Sequence, residues 1–383
     1  MSNVKVSIVM PSLNVCKYIE QCMDSVLNQT LKDIEIICVD AGSTDGTLEI
    51  LEGYAKRDSR ISIVKSDKKS YGYQMNLGFD AATGEYFGII ETDDYAEPDM
   101  FEKLYAQAKK DDADVVKSGF FYYFSKPTET NEASPVASAV MCSKVFCPTT
   151  DFASPLEQSE FFNIKPTIWS AVYKKEFIRE NKIRFNETPG ASYQDASFNF
   201  KVWSLAKRVR LVEDCFLHYR QDNENSSINS PGKVYCVCDE YEEMERFLNA
   251  TESLASKKSM LEGVKSRLKY DSYIWNYERL SDDLKVEFIK HASEEFKDDL
   301  ARGKVQADFL PSYKYDTLKI IAKDPMKYHE WRVKNGDAPI ATNPDETKLG
   351  IIKRLVVGGL KSIKENGLLY TAREVLIRIK RHL

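Results

Sequence analysis

The sequence lacks both common glycine-rich phosphate-binding motifs. No GxGxxG follows the first predicted strand, and no Walker A motif is present, which argues against a classical dinucleotide-binding fold. It also has no apolar run of the roughly 18 residues that are needed to span a bilayer. The first residues do not resemble a signal peptide. We therefore expect a cytoplasmic protein.

An excess of positive charge is also missing. Lys and Arg number 54 against 59 Asp and Glu, and the net charge of -5 gives no general attraction to nucleic acid or membrane. Paired CxxC spacings are absent too, and several of the eight cysteines fall in apolar periodic runs. Free buried thiols in a reducing cytosol are favoured over a disulfide framework. Cys236 and Cys238 lie close in sequence, but no nearby His or Cys completes a zinc set.

One stretch organises the rest of the chain: an apolar run from Tyr86 to Ile90 ends abruptly in Glu91, Asp93 and Asp94. A strand that stops in a solvated acidic turn would explain it. The alternative is a divalent cation at a strand end, because hard cations take carboxylate oxygens and ligands of open α/β sheets lie beyond the strand carboxyl ends.

The N-terminal half favours the second explanation. Short β-branched runs alternate with amphipathic segments of helical period, which predicts a mostly parallel sheet with right-handed crossovers. At 383 residues, one large or two smaller units are expected. Three predicted strands end in polar groups that should meet at one sheet edge: Pro11, Ser12 and Asn14, then Asp40, then Glu91, Asp93 and Asp94.

Several motifs in this half resemble those of a family 2 glycosyltransferase, and they come in that family's order and spacing. The resemblance covers about residues 4 to 225 and is carried by the runs Val6–Asn14, Ser25–Thr30, Glu35–Asp40, Gly42–Gly46, Asn76-x-Gly78, Ala82–Tyr86 and Asp93–Pro98. It implies the GT-A fold, a Rossmann-like sheet flanked by helices. It also implies transfer of a sugar from a nucleotide donor with inversion and with Mn²⁺ or Mg²⁺ as cofactor.

By this resemblance, Glu91-Thr92-Asp93 is the chain's version of the family's DxD metal motif, with Glu in place of the more usual first Asp. Asp93 is the first choice of metal ligand, Asp94 the second, and Glu91 a further candidate. His218 could add another metal contact, although a single histidine on a strand is more often structural. A metal that bridges phosphate oxygens stabilises the diphosphate leaving group.

On the acceptor side, the resemblance implies that Asp195 is the general base. It lies in a segment similar to the family's Glu-Asp-x-x-Phe element, but Gln194 replaces the usual Glu, so one charge that would raise the pKa of Asp195 is missing. Alternatively, Asp195 caps the helix that follows it. Trp169 lies in a segment similar to the family's acceptor-side element, and packing in the core is the other explanation for it.

The candidate donor-binding residues follow from the same comparison. They are Pro11, Ser12, Asn14, Asp40, Gln74, Asn76 and Asp93, with Arg220 as a partner for a donor phosphate. The pocket for the base departs from the family pattern at Leu13, Ala41 and Met75. UDP is the default donor nucleotide because it is the commonest in such enzymes.

The remaining chain suggests four parts. Residues 1–230 form the GT-A domain, 231–330 a helical extension, 331–347 a linker and 348–383 basic amphipathic helices. The segment 126–150 is expected to be an insertion or a loop. From Lys348 to Arg381, nine Lys or Arg face only two Glu, which suits either an anionic membrane surface or a packed hairpin with solvated basic faces.

The favoured function is therefore an inverting glycosyltransferase of the hexosyltransferase type. Its partners are a nucleotide-sugar donor and a glycan, lipid-linked or glycoprotein acceptor, without nucleic acid. The expected setting is polysaccharide or glycoprotein glycan assembly, either in the cytoplasm or peripheral on the inner face of the cell membrane. The alternatives are a degenerate transferase domain that serves as an assembly subunit and a nucleotidyltransferase. The latter would need a Gly-rich, basic loop where Pro11–Asn14 stands.

Overall fold

The computed structural model describes residues 4–223 and 233–336. The chain divides into two compact units, Met1–Lys265 and Ser266–Leu383. The predicted domain boundary at residue 230 differs from this division, because the helix that follows residue 235 belongs to the first unit. The first residues of the predicted linker 331–347 lie in a helix that runs to Asn335, and residues 337–347 lie outside the described residues.

The first unit alternates strands and helices along the chain. Its strands are β1 (Val6–Ser12), β2 (Ile34–Asp40), β3 (Ile61–Lys65), β4 (Tyr86–Ile89), β5 (Tyr95–Ala96), β6 (Val115–Phe124), β7 (Thr130–Ser134), β8 (Val145–Phe146), β9 (Ala171–Lys174) and β10 (Val209–Arg220). Its helices are α1 (Ile19–Leu27), α2 (Thr47–Ala55), α3 (Tyr71–Ala81), α4 (Met100–Asp111), α5 (Ala139–Cys142), α6 (Pro155–Phe162), α7 (Lys175–Glu180), α8 (Gln194–Leu205) and α9 (Cys236–Ala250).

These strands form one sheet in the order β3-β2-β1-β4-β9-β6-β10-β5, with β7 paired to β6 and β8 to β10. Strands β1 to β4 pair in parallel, as do β6 and β10, whereas β9 is antiparallel to both of its neighbours. The predicted α/β class with a mostly parallel sheet flanked by helices is confirmed.

The sheet brings the predicted polar strand ends together. Ser12 lies opposite Asp40 in the β1–β2 register, and Val9 lies opposite Ile89 in the β1–β4 register. All three strands point the same way, so their carboxyl ends form one edge. That edge carries Ser12, Asp40 and the acidic turn after β4.

Helix α3 packs very closely on this part of the sheet. A Cβ added at Gly78 would lie 2.2 Å from Cγ1 of Val9 in β1, so only glycine allows the observed separation. Ser70 caps the helix by accepting a hydrogen bond from the backbone N–H of Tyr73 (3.2 Å). The close packing places the first turn of α3, with Tyr71 and Gln74, beside the polar edge.

The segment 126–150, predicted to be an insertion or a loop, is not an irregular loop throughout. It contains β7 and β8, which pair antiparallel with β6 and β10, and the short helix α5. The residues of β7 are exposed or half-buried on both faces. An edge strand of this kind needs no alternation of apolar and polar side chains, and this explains why the sequence pattern did not reveal it.

The second unit is helical, as predicted for the C-terminal extension. It contains α11 (Asp282–Ala301), α12 (Ser312–Lys323) and α13 (Pro325–Asn335), and the residues of α10 (Lys258–Arg279) fall on both sides of the division. Its core includes Tyr273, Phe288, Phe296 and Ile321. Within the described residues, we find no helix with the length and apolar character to cross a membrane. The predicted basic helices at 348–383 lie outside the described residues.

Candidate active site

The acidic turn after β4 is fixed to its neighbours by short hydrogen bonds. Thr92 donates its hydroxyl to the carbonyl oxygen of Pro11 in β1 (2.8 Å). The backbone N–H of Asp94 closes the turn on the carbonyl oxygen of Glu91 (3.1 Å). Three carboxyl groups are thereby held at the sheet edge that carries Ser12 and Asp40.

Asp94 has the least satisfied of these carboxyl groups. Its Oδ1 accepts the backbone N–H of Arg220 (2.8 Å), whereas its Oδ2 is buried without a partner among the described residues. Burial, and then the charge of Asp93, raises the pKa of Asp94 well above its ordinary value. A buried oxygen without a partner is costly, and a divalent cation would supply one.

Asp93 is half-buried, and its Oδ2 accepts a hydrogen bond from Nδ2 of Asn223 (2.8 Å). Glu91 is hydrogen-bonded through Oε1 to the hydroxyl of Tyr71 (2.6 Å). Burial, together with the charges of Asp93 and Asp195, raises the pKa of Glu91 to about 8, and the hydrogen bond from Tyr71 opposes this shift. These donor oxygens fit a hard divalent cation beside Asp93 and Asp94, with Glu91 already partly engaged by a phenol.

The fourth acid, Asp195, comes to the same region from a distant part of the sequence. The pKa of Tyr219, which lies in β10, is raised by burial and then by the charges of four acids, Asp94, Asp93, Glu91 and Asp195. Tyr71 shows the same combination, because both Glu91 and Asp195 raise the pKa of its phenol. The charges of the acidic turn and of Asp195 therefore act together on the phenol of Tyr219.

Asp195 is the second residue of α8, after Tyr193 in the left-handed region (φ 59°). Burial raises the pKa of Asp195 to about 6, opposed by the backbone N–H groups of Ala196 and Asp195 and by Lys165 and Lys117. The helix-capping alternative is not realised, because Tyr193 occupies the N-cap position of α8 without a side-chain capping hydrogen bond, and Asp195 lies inside the first turn. A carboxyl with this pKa is well suited to exchange a proton near neutral pH.

Gln194 holds the loop before α8 through hydrogen bonds of both the oxygen and the nitrogen of its side-chain amide. Oε1 accepts the backbone N–H of Ser192 (2.5 Å), while Nε2 donates to Oγ1 of Thr188 (2.9 Å) and to the carbonyl oxygen of Gly190 (3.1 Å). An ionised Glu could not make the two donor bonds. The replacement of the family's Glu by Gln194 therefore has a structural explanation in this chain.

Two more buried atoms without hydrogen-bond partners belong to residues that are predicted to bind the nucleotide-sugar donor. Oγ of Ser12 and Oδ1 of Asp40 are buried without hydrogen-bond partners among the described residues. Asp40 uses its other oxygen to accept the backbone N–H groups of Gly42 (2.9 Å) and Ser43 (3.1 Å). Nε2 of Gln74 donates to the carbonyl oxygens of Ser12 (3.0 Å) and Val39 (2.7 Å) and so holds the ends of β1 and β2 together.

Two other predicted donor-side residues have structural partners. Asn14 (φ 55°) accepts the backbone N–H of Thr44 through Oδ1 (2.9 Å), which joins the loops after β1 and β2. Asn76 donates to the carbonyl oxygen of Phe185 (3.0 Å) and accepts its N–H (3.0 Å). In this structure the Asn76 amide holds the segment before α8, and we no longer place it against a donor.

Arg220 is engaged by the protein itself. Its Nε donates to the carbonyl oxygen of Asp93 (2.9 Å) and its Nη2 to Oε1 of Gln21 (2.5 Å). The guanidinium also lies 4.7 Å from the ring centroids of both Tyr18 and Tyr123. Arg220 therefore holds the acidic turn, and its predicted contact with a donor phosphate stays a prediction.

His218 is not placed as a metal ligand. Its Nδ1 lies 2.6 Å from Oδ1 of Asn131, and its Nε2 lies 2.8 Å from Oε1 of Glu97. The ring is stacked between Tyr95 (4.2 Å between centroids) and Phe121 (4.7 Å). Both ring nitrogens are occupied, so the structural alternative describes this histidine.

Trp169 lies in a 3₁₀ helix, Ile168–Ser170, and only 7% of its surface is exposed. Its ring meets Phe120 edge to face (5.1 Å, 90°) and lies 5.2 Å from the ring of Tyr219. The indole therefore packs in the core. The indole lies against Tyr219, and the charges of the four acids raise the pKa of that tyrosine. An acceptor-side role for Trp169 remains a proposal.

Four residues of this region are not indicated by the sequence pattern: Tyr71, Lys117, Lys165 and Tyr219. The hydroxyl of Tyr71 and the charge of Lys165 act on Glu91 and Asp195 from segments far apart in sequence. Only Lys117 leaves a signal, as a lysine inside the apolar run Val115–Phe124. A charged residue in a buried strand requires buried partners, which the sequence does not identify.

Comparisons with known proteins identify the family and the fold. The family model described as "Glycosyl transferase family 2" matches residues 7–202. The uncharacterized glycosyltransferase EpsJ of Bacillus subtilis is 32% identical over 228 residues, which are 60% of this chain and 64% of EpsJ. Glycosyltransferase GlyG of Streptococcus pneumoniae is 30% identical over 224 residues, 56% of this chain and 70% of GlyG. The chain thus spans about two thirds of these relatives.

Among solved structures, the crystal structure of S. aureus TarS 1-349 in complex with UDP-GlcNAc is similar, with a TM-score of 0.68. The similarity covers 87% of this chain and 92% of that one at 16% sequence identity. At this identity the comparison shows a shared fold alone, and it confirms the fold class predicted from the sequence.

Proposed function

The chain belongs to glycosyl transferase family 2, and on that premise we propose that it transfers a sugar from a nucleotide-diphosphate donor to a hydroxyl of a glycan, glycolipid or glycoprotein acceptor. We base the proposal on one observation: at the carboxyl edge of the sheet, Oγ of Ser12, Oδ1 of Asp40 and Oδ2 of Asp94 are buried without hydrogen-bond partners among the described residues. We infer that these atoms receive a nucleotide and a cation, and that Asp195 supplies the general base for the displacement.

On the donor side, we assign the binding of the donor's nucleobase to Ser12 and Asp40. Oδ1 of Asp40 is a buried acceptor without a partner among the described residues, and uracil presents an N–H donor that would satisfy it. Oγ of Ser12, also unpartnered, can donate to a carbonyl oxygen of the base. UDP is therefore the first donor to test, and TarS, which shares the fold, has been crystallised with UDP-GlcNAc.

We assign Mn²⁺ or Mg²⁺ to Asp93 and Asp94, with Glu91 as a third candidate ligand. When bound, the cation offsets the negative charge of the diphosphate leaving group. Arg220 fixes the ligands, because its backbone N–H holds Asp94 and its Nε holds the carbonyl oxygen of Asp93. The protein thus supplies a preorganised set of oxygens.

The reaction that fits these groups is a single displacement with inversion. The acceptor oxygen forms a bond to the anomeric carbon while the bond from that carbon to the diphosphate oxygen breaks. Asp195 accepts the proton of the attacking hydroxyl. Its position at the start of α8, with backbone N–H groups holding the carboxylate, keeps this base ionised in spite of its burial.

The first prediction concerns pH. Asp195 must be ionised to accept a proton, and burial raises its pKa to about 6. The transfer rate should therefore rise about tenfold per pH unit below pH 6 and level off above it. Initial rates between pH 5 and 8 measure this, with melting temperature recorded in parallel to exclude unfolding. A rate that is flat from pH 5 upwards contradicts the assignment of Asp195.

A second prediction concerns the replacement Gln194→Glu. The new charge beside Asp195 raises the pKa of the base, so the acid limb of the rate profile should move to higher pH. The lost donor bonds to Thr188 and Gly190 should cost about 1–3 kcal/mol of stability. Rates against pH and thermal melts measure the two effects separately.

The matched control is Gln158→Glu. The buried Gln158 donates its Nε2 to the carbonyl oxygen of Pro148 (2.9 Å), so this replacement also puts an acid where a buried amide donor stood. Gln158→Glu should lower stability without moving the acid limb of the profile of rate against pH. Equal shifts of the limb in both variants would mean that the shift is not caused by the position of Gln194.

A thermal-shift screen tests the proposed function directly. Nucleotide diphosphates and nucleotide sugars are added with and without Mn²⁺, because a ligand that binds the native state raises the melting temperature. A manganese-dependent shift with UDP supports the donor site as assigned. A shift with GDP or a dTDP compound supports the donor site with a different nucleobase. No shift with any nucleotide would favour the assembly-subunit alternative, to which the departures at Ala41 and Met75 point.

We also propose, from the sequence alone, that the basic residues 348–383 attach the enzyme to an anionic membrane surface where a lipid-linked acceptor would be used. Flotation with anionic liposomes tests this. The full chain should float, and a truncation before Lys348 should stay at the bottom of the gradient. Equal recovery of both in the bottom fraction would refute it.

A further inference from the structure

Lys165 is an exposed lysine whose ammonium group is nevertheless held in place by the protein. It lies between α6 and the 3₁₀ helix Ile168–Ser170, which carries Trp169. Its Nζ donates a hydrogen bond to the hydroxyl of Tyr122 (3.2 Å). The proposed mechanism gives this cation no task, so its placement requires an explanation.

Three aromatic rings hold the ammonium group of Lys165. Its Nζ lies 4.7 Å from the ring centroid of Tyr122, 4.9 Å from that of Tyr219 and 5.2 Å from that of Phe120. The negative faces of aromatic rings attract a cation at such distances. Trp169 belongs to the same cluster, because its indole contacts the rings of Phe120 and Tyr219. We call these four aromatic residues the aromatic wall.

The turn that carries Lys165 is fixed from inside the sheet. The backbone N–H of Thr167 donates to the carbonyl oxygen of Lys165 (2.7 Å). The buried Lys117 donates its Nζ to Oγ1 of Thr167 (2.7 Å) and to Oγ of Ser170 (3.0 Å). The ammonium group of Lys117 is therefore used within the protein, whereas that of Lys165 lies at the surface, where a ligand can reach it.

The aromatic wall adjoins the acids of the proposed site. The peptide group that joins Tyr219 to Arg220 donates its N–H to Oδ1 of Asp94 (2.8 Å). The charge of Lys165 also lowers the pKa of Asp195, which agrees with this placement. Lys165 thus lies beside the proposed site, on the side where we place the acceptor.

The protein offers the charge of Lys165 no opposite charge. Lys174, for comparison, pairs with Asp112 (2.7 Å). In the parts of the chain that the structure describes, no carboxylate lies at ion-pair distance from the ammonium group of Lys165. Its hydrogen bond to Tyr122 uses one of three N–H donors, so two remain for a ligand. A negatively charged ligand would supply both the missing charge and the missing acceptors.

We propose that the acceptor carries a phosphate or carboxylate group, that Lys165 binds this group, and that the sugar or polyol bearing it lies against the aromatic wall. The half-buried rings of Tyr122 and Tyr219 provide the contact surface. An anion that approaches the carboxyl groups of the site is repelled by them, and the cation at position 165 offsets this repulsion. The proposal rests on the proposed function and narrows its acceptor to an anionic one.

Saturation-transfer NMR with three probes tests the preference for charge without any sugar transfer. Glucose 6-phosphate, glucuronate and glucose share one ring and differ at C6, which carries a phosphate, a carboxylate or a hydroxyl group. The full-length protein is titrated without divalent cations, so that a phosphate finds no metal beside Asp93 and Asp94. At least one charged probe should bind about tenfold more tightly than glucose, as expected for a hydrogen bond to a charged group. The charged probe that binds more tightly identifies the anion.

Variants of Lys165 show whether this side chain causes the preference. Lys165→Met removes the charge and keeps an unbranched side chain against the rings, so the preference for a charged probe should disappear. Lys165→Arg keeps the charge and should keep the preference. The matched control is Lys103→Met, which removes an ammonium group that also lies over a ring, that of Phe216 (5.3 Å), but is paired with Asp99 (2.8 Å). This control should bind the probes like wild type.

Three results of the probe experiment overturn the proposal. The first is that wild type binds neither charged probe measurably, and the second is that it binds all three probes equally well. The third is a preference for charge that survives in Lys165→Met. Each of these results holds whether or not the protein is a glycosyltransferase.

A kinetic arm separates anion binding from support of the turn. Lys165→Met should raise KM for charged acceptors about tenfold and leave KM for neutral acceptors unchanged. An equal rise of KM for both classes means that Lys165 only supports the turn, and it contradicts the proposal. So does an unchanged KM with a shifted acid limb, since Lys165 would then act on Asp195 alone. If wild type neither binds nucleotide nor transfers sugar, the proposed function fails, and the probes still decide whether Lys165 binds an anion.

Discussion

Asp195→Asn should lower the transfer rate by about 10²- to 10⁴-fold, the usual contribution of a general base. The amide has nearly the same shape as the carboxylate but cannot accept the proton of the attacking hydroxyl. Burial raises the pKa of Asp195 to about 6, so the carboxylate that is lost is the ionised form present at neutral pH. Initial rates of nucleotide release in the presence of acceptor measure the effect.

Nucleotide binding should survive this replacement, because the proposed donor site consists of other residues. The manganese-dependent thermal shift of Asp195→Asn should therefore match that of wild type. Asp112→Asn serves as the matched control and should retain the full rate, since Asp112 is an exposed acid that pairs with Lys174. A transfer rate within a few fold of wild type in Asp195→Asn would assign the base to another group.

Asp93→Asn should abolish the manganese-dependent part of nucleotide binding. A ligand at 100 times its Kd stabilises the native state by about 2.7 kcal/mol, and this stabilisation should disappear. The physical reason is the loss of one carboxylate charge from the cation site, while the bond from Asn223 can still be made to an amide oxygen. Thermal melts with nucleotide, with and without Mn²⁺, measure the change.

Asp99→Asn is the control for this experiment. Asp99 is an acid of the same segment that pairs with Lys103 (2.8 Å) on the surface, away from the unpartnered oxygens of the site. It should keep the manganese-dependent shift. If Asp93→Asn also keeps it, the cation does not bind through this carboxylate, and the assignment passes to Asp94 and Glu91.

The parts of the fold that depend on local patterns could be predicted from the sequence. Strands β2 (Ile34–Asp40) and β3 (Ile61–Lys65) coincide with short β-branched runs between turn residues, the pattern from which the sheet is predicted. The common edge of Ser12, Asp40 and the acidic turn followed from the parallel sheet. The departure at segment 126–150 has the opposite cause, since an exposed edge strand carries no alternating pattern.

The partners of individual site residues could not be predicted, because they come from distant segments. His218 was considered as a metal contact until the structure showed Asn131 and Glu97 on its two nitrogens. Arg220 was expected to face a phosphate, but it holds the acidic turn. In each case the residue type indicated a polar partner, and only the tertiary structure identifies which one.

The most direct test of the account is a crystal structure with Mn²⁺ and the nucleotide diphosphate that the thermal-shift screen selects, with anomalous data collected at the manganese edge. The account predicts one strong anomalous peak beside the carboxylates of Asp93 and Asp94, in contact with the diphosphate, and the base against Asp40 and Ser12. A nucleotide bound at another edge of the sheet, or a manganese peak away from both carboxylates, would contradict it.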